Sequence, residues 1–177
     1  MKKLIVLSVS FLLTVVILSW LSTATKASLQ SVTIQSNIAF ASGGDLENNG
    51  QFDAGDTITF SYAITNTTKR TFSRNTLKTN VPRDRLNFIH DVRGVASISD
   101  RNGILEIPNL RLDAHQELVV SFSARINYFS GADLAIWTQP ELVAHDGASL
   151  GGAIRKEMNV RSWKNEVFPS SVKNKRR

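Results

Sequence analysis

The sequence predicts an all-β fold: an antiparallel β-sandwich preceded by an apolar export or anchor helix. Three observations carry this. Apolar residues recur with period two along several segments between Ala27 and Val160, as they must when a pleated strand sends alternate side chains to opposite faces. Clusters of turn-forming residues separate those segments at short intervals. No stretch of the body carries the i, i+3, i+4, i+7 stripe of an amphipathic helix. A length of 177 residues suits one such domain with short appendages and excludes a large multidomain enzyme.

The N-terminus is read first. Met1-Lys2-Lys3 is basic, Leu4 to Leu21 is apolar and uncharged, and Ser22 to Ala27 is small and polar apart from Lys26. This is the order of a secretory signal. Residues 1–27 are therefore assigned as a signal peptide, cleaved after Ala27 or Ala24, or as a retained membrane anchor. Uncleaved, residues 4–21 would span about 27 Å at ~1.5 Å per residue, close to the ~30 Å hydrocarbon core. The lysines would stay inside and the body would face out. Both alternatives make the body extracytoplasmic.

Residues 28–160 form the expected sandwich. Val32, Ile34, Ile38 and Phe40 share one parity. In Thr57–Thr65, Ile58, Phe60, Tyr62 and Ile64 alternate with small polar residues. Leu118, Val120, Phe122, Ala124 and Ile126 do the same further on. Thr76–Val81, Asn87–Val92, Val95–Ser99, Gly103–Ile107 and Asp133–Thr138 are the remaining predicted strands. Gly43-Gly44, Asn49-Gly50, Pro82, Asn102-Gly103, Pro108-Asn109 and Gly131 are the predicted turns. Glycines 147, 151 and 152 read as a loop, and Trp137 reads as core. Residues 161–177 lack periodicity, end basic and are assigned as a disordered tail.

The net charge of +6 sits in the termini, because residues 27–160 carry 12 basic against 14 acidic side chains. A basic domain face for nucleic acid is thus not expected. The chain has no cysteine, which excludes disulfides, thiolate metal sites, cysteine nucleophiles and a lipoprotein anchor.

Gly55-Asp56-Thr57-Ile58-Thr59-Phe60-Ser61-Tyr62-Ala63-Ile64-Thr65-Asn66-Thr67-Thr68 resembles the opening of a repeat of prokaryotic surface proteins, the conserved repeat called domain of unknown function eleven. Asn80-Val81-Pro82 and Leu86–Ile89 are similar to its middle, and Asn109–Leu118 to its late turn and last strand. The resemblance covers residues 45–127. It departs at Thr68 and His115, where the family often has glycine. It implies an immunoglobulin-like sandwich used as a spacer or packing unit at the cell surface, and no activity.

The most specific local pattern is Asp45-Leu46-Glu47-Asn48-Asn49-Gly50-Gln51-Phe52-Asp53-Ala54-Gly55-Asp56. Against a calcium loop, Asp45, Glu47 and Asn49 fall at positions 1, 3 and 5. The Gln51 carbonyl falls at 7, Asp53 at 9 and Asp56 at 12. Two readings stand side by side: a weak structural calcium site, and an Asx/Gly-rich turn that needs no metal. A strand follows instead of a helix, and position 12 is Asp, so a true EF-hand is not expected.

Other motifs fail on inspection. Gly147-Ala148-Ser149-Leu150-Gly151 matches the G-x-S-x-G elbow, but no His or Asp follows it. His90, His115 and His145 have no ligand spacing. Lys69 or Lys78 could enter an internal isopeptide bond, but the sequence places no acid for it. The expected protein is non-enzymatic: a structural or assembly subunit of the envelope or of a surface appendage. The alternative is a monomeric extracellular binding module, an adhesin or polymer-binding domain. Expected partners are a second copy or other surface proteins through exposed sheet edges, and anionic wall polymer or lipid headgroups through the basic tail. The membrane is met only through residues 4–21, if they are retained.

Overall fold

The computed structural model describes residues 30–101 and 104–162. Residues 1–29, where the export segment is expected, Asn102-Gly103 and residues 163–177 lie outside the described residues. Ten strands follow in order: β1 Val32–Phe40, β2 Thr57–Asn66, β3 Phe72–Asn80, β4 Leu86–Arg93, β5 Ser99–Arg101, β6 Ile104–Leu112, β7 Glu117–Ile126, β8 Leu134–Val143, β9 Ser149–Gly152 and β10 Lys156–Val160. Arg83–Arg85 makes one 3-10 turn. The fold is all-β, and every strand pairing is antiparallel.

One sheet has the order β1-β2-β7-β4 and the other β10-β8-β3-β6-β5, with β9 added beside β8. Their inner faces share one core. Ile58, Phe60, Tyr62 and Ile64 of β2 are fully buried, with Val120, Phe122 and Ile126 of β7 beside them. Leu77, Leu105, Ile107 and Leu142 close the core from the second sheet. The period-two reading of the three principal segments therefore gives the inward faces of β1, β2 and β7. Phe60 stacks on Phe122 with ring centroids 5.1 Å apart.

Four expectations need correction. Pro108-Asn109 is not a turn but lies inside β6. Partners there jump from Leu77↔Ile107 to Asn75↔Leu110, so β6 carries one extra residue, with Asn109 at φ 61°. β5 pairs only with Ile104–Glu106. At Pro108 strand β6 is therefore an edge, where proline costs no ladder bond. Val95–Ile98 lies outside any strand, and β5 begins at Ser99. Gly151 and Gly152 belong to β9, and β10 follows. Short strands without a long alternation leave no periodic signal. Trp137 is on the outer face, because Ile136 and Thr138 on either side are buried. Its ring is covered by the Arg155 guanidinium, 4.4 Å from the centroid.

Candidate functional site

The chain crosses the sandwich from end to end. Thr67 donates to the Ser31 carbonyl at 3.0 Å where the chain enters β1. At the far end Arg161 forms a parallel bridge with Asp53. Between these ends runs β2 with 10 residues, on the order of 30 Å at ~3.4 Å per residue. The far end holds the acidic segment, residues 45–56.

That segment folds on its own carboxylates. Asp45 accepts from the N–H of Asn49 at 3.2 Å and of Gly50 at 2.7 Å. Asn48 and Gly50 supply the left-handed turn, with φ of 51° and 70°. Asp56 is buried and accepts from Leu46 N–H at 3.0 Å and Asp53 N–H at 2.8 Å. It thus joins the two halves of the loop. Phe52 stacks on Phe40 of β1 at 4.2 Å and seats the loop on the core.

Arg161 completes the loop. Its backbone N–H donates to Phe52 O at 2.9 Å and its carbonyl accepts from Ala54 N–H at 3.1 Å. Its guanidinium grips Asp53 with two bonds, Nε to Oδ1 at 2.6 Å and Nη2 to Oδ2 at 2.7 Å. The Asp53 side chain is 10% exposed. The hydrogen bond to Asp53 raises the Arg161 pKa above its ordinary value, partly opposed by desolvation, with the charges of Asp53, Glu47 and Asp133 adding to the rise. Asn49 donates its amide to Glu47 at 2.9 Å and to Asp53 at 2.8 Å, and accepts from Gln51 N–H at 2.7 Å.

The six residues of the calcium pattern are thus brought into one loop. Asp45 and Asp56 face backbone N–H groups, and Asp53 faces Arg161. Among the described residues no three His, Asp or Glu side chains stand where they could share a metal ion.

Beside the loop, Gly55 lies under the Tyr128 ring at φ 100°, where an added Cβ would come within 2.7 Å of the ring. Arg125 donates to the Gly55 carbonyl at 3.1 Å and to the Tyr128 hydroxyl at 3.0 Å. Arg161, Arg125 and Tyr128 were not legible as part of this site. The assignment of residues 161–177 as one tail is corrected at its start, since Arg161 and Ser162 are tied to the sandwich. Ser162 N–H donates to Asp133 at 3.1 Å.

The remaining motifs stay apart. Ser149 opens β9, and Asp146 is used in the preceding turn, accepting from Ala148 N–H at 3.0 Å. His115 sits in the β6–β7 turn at φ 58°. Lys78 makes an ion pair with Glu106 at 3.4 Å, with side chains 43% and 20% exposed.

No family model matches the chain, and no curated protein matches it. Solved structures similar to it include BcpA, the major pilin subunit of Bacillus cereus, at 11% identity and TM-score 0.47. That match covers 74% of this chain and 40% of BcpA. AvmM, which catalyses macrocyclization in alchivemycin A biosynthesis, is similar at 12% identity and TM-score 0.42, over 81% of this chain and 93% of AvmM. SpaD, the major pilin of Corynebacterium diphtheriae, is similar at 8% identity and TM-score 0.44, over 73% of this chain and 34% of SpaD. At identities of 8–12% and TM-scores of 0.42–0.47 these likenesses assign no function to this chain.

Proposed function

We propose that this is an exported, non-enzymatic structural subunit of the cell envelope or of a surface appendage. The observation that carries it is the end-to-end course of the chain, with both ends of the sandwich secured. The basic, apolar, small-residue order of residues 1–27 supports export. The far end supports a mechanical role: Arg161 holds Asp53 and spans Phe52 and Ala54, so the last strand cannot peel away without breaking side-chain and backbone bonds together. Strand order adds support for an immunoglobulin-like sandwich. β1-β2-β7-β4 follows the A-B-E-D sheet, and β10-β8-β3 follows G-F-C. The β5–β6 hairpin is an addition beside the C strand. The Gly55–Thr68 segment supports placement with the surface-protein repeat it resembles.

In this reading the acidic loop is a brace, with the Arg161 guanidinium standing where the sequence pattern would put a cation. Its stability is then independent of calcium.

Surface digestion of intact cells tests the location. Protease added outside should remove the sandwich epitope while a cytoplasmic marker survives. Protection until the cells are lysed would overturn the reading.

A further inference from the structure

We propose that the outer edge of β1 is a self-association site, which pairs antiparallel with the β1 of a second copy about a two-fold axis at Asn37. This rests on the reading of the protein as an assembling subunit and names the surface that does it.

The backbone shows which groups are available. In an antiparallel strand the N–H and C=O of one residue point to the same side, and successive residues alternate. Thr67 N–H donates to Ser31 O at 3.0 Å, and Ala41 N–H donates to Thr57 O at 2.9 Å. Odd-numbered residues of β1 therefore face β2. Residues 32, 34, 36, 38 and 40 face outward. The Val32 carbonyl is covered by β9: a Cβ on Gly151 would lie 2.0 Å from it. Val32 is 0% exposed, whereas Ile34 and Ile38 keep 7% and 8%. No backbone hydrogen bond joins residues 34, 36, 38 or 40 to another described strand.

The other edges are closed to a long partner. β4 carries extra residues against β7, with Asp91 at φ 49°. β5, β9 and β10 have 3, 4 and 5 residues, and β10 begins Lys156-Glu157. Bulges, short length and charge are the usual guards of a sheet edge. β1 has none of them. Its nine residues, VTIQSNIAF, carry no charge, proline or glycine and pair with β2 without a break.

A second copy is the occupant that this edge fits. Segment 34–40 is symmetric about Asn37, so Ile34 meets Phe40 of the second copy and Ser36 meets its Ile38. Both members of each pair are even-numbered. Every outward group from residue 34 to residue 40 then finds a partner. The neighbouring register, centred on Ser36, would need a strand beside Val32, where Gly151 sits. Charged residues make up 20% of the chain, yet a neutral strand pairs with itself without setting like charges opposite each other. On the solvent face Asn37 meets Asn37 of the second copy as a non-hydrogen-bonded pair, with Cα atoms about 4.5 Å apart.

The chain has no cysteine, so single introduced cysteines give a clean test on the exported, full-length protein. Under oxidation Asn37→Cys should form a disulfide-linked dimer, and Gln35→Cys, placed opposite Ala39 of the second copy, should stay monomeric. Asn37→Lys should lower the native size at unchanged melting temperature, because two ammonium groups would face each other across the axis. If the wild type assembles but Asn37→Cys does not cross-link and Asn37→Lys assembles as before, the β1 edge is overturned while the subunit reading stands. A dimer from Gln35→Cys and not from Asn37→Cys overturns the register. A wild type that is monomeric at every concentration overturns both the edge and the reading beneath it.

Discussion

The hydroxyl of Tyr62 on β2 meets Thr138 Oγ1 on β8 at 2.7 Å, so one hydrogen bond crosses the middle of the sandwich from sheet to sheet. Thr79 of β3 joins them, 3.3 Å from the Tyr62 hydroxyl and 2.7 Å from Thr138. All three residues are buried. The triangle fixes how the two sheets face each other, which apolar packing alone leaves less specified.

Tyr62→Phe should destabilise the protein only modestly, by about 1 kcal/mol. Thr79 and Thr138 still bond each other when the phenol oxygen is gone. Chemical unfolding of the two proteins measures the difference. A cost several times larger would mean that the hydroxyl does more than close the triangle.

Alkali should act through the same group. Burial pushes the Tyr62 pKa up from 10.0 to about 12, with the bonds to Thr138 and Thr79 partly opposing the rise. The folded state therefore holds this proton more tightly than the unfolded state. The corresponding stability is fully present below pH 10 and is lost as pH rises from 10 to about 12. Two pKa units correspond to roughly 3 kcal/mol. Melting curves across that window should fall steeply for the wild type and less steeply for Tyr62→Phe. Parallel curves would contradict the assignment.

Asn66→Ala should cost about 1–2 kcal/mol, since it removes several hydrogen bonds made by a fully buried amide. The Asn66 amide donates to Arg70 O at 2.7 Å and Asp113 O at 2.8 Å, and its carbonyl accepts from Thr68 N–H at 2.9 Å. One side chain thus joins the β2–β3 and β6–β7 connections. Denaturant titration reads the loss. A variant as stable as the wild type would show that water replaces these bonds.

Arg161→Gln should lower the melting temperature clearly, because Asp53, in a nearly closed site, loses the cation that balances its charge. Arg111→Gln is the comparison. Its pair with Asp113 is 69% and 53% exposed, and exposed pairs contribute little. The wild type should melt at one temperature in excess calcium and in chelator. A rise with calcium would restore the metal reading of Asp45, Glu47, Asn49, Gln51, Asp53 and Asp56.

These residues also show how far the sequence could be read. Alternation in Thr57–Thr65 and Leu118–Ile126 was legible because one face of each strand is buried and the other is not. The acidic loop was legible as a turn from its own Asp, Asn and Gly residues. Its partner was not: Arg161 stands 108 positions away from Asp53, and pairing at that distance leaves no local signal. The β9 and β10 strands are too short for alternation to show. Pro108-Asn109 carried turn chemistry that an edge bulge uses equally well. Trp137 was misplaced because a large aromatic on an outer face, shielded by Arg155, has the same composition as one in a core.

The central claim is that the protein is an exported subunit of an assembly. The most direct measurement is its native size when released from the envelope of its own cells, beside its mass after denaturation. The expected result is a species far above the monomer that collapses to a single chain. A monomer in the soluble exported fraction would contradict the account.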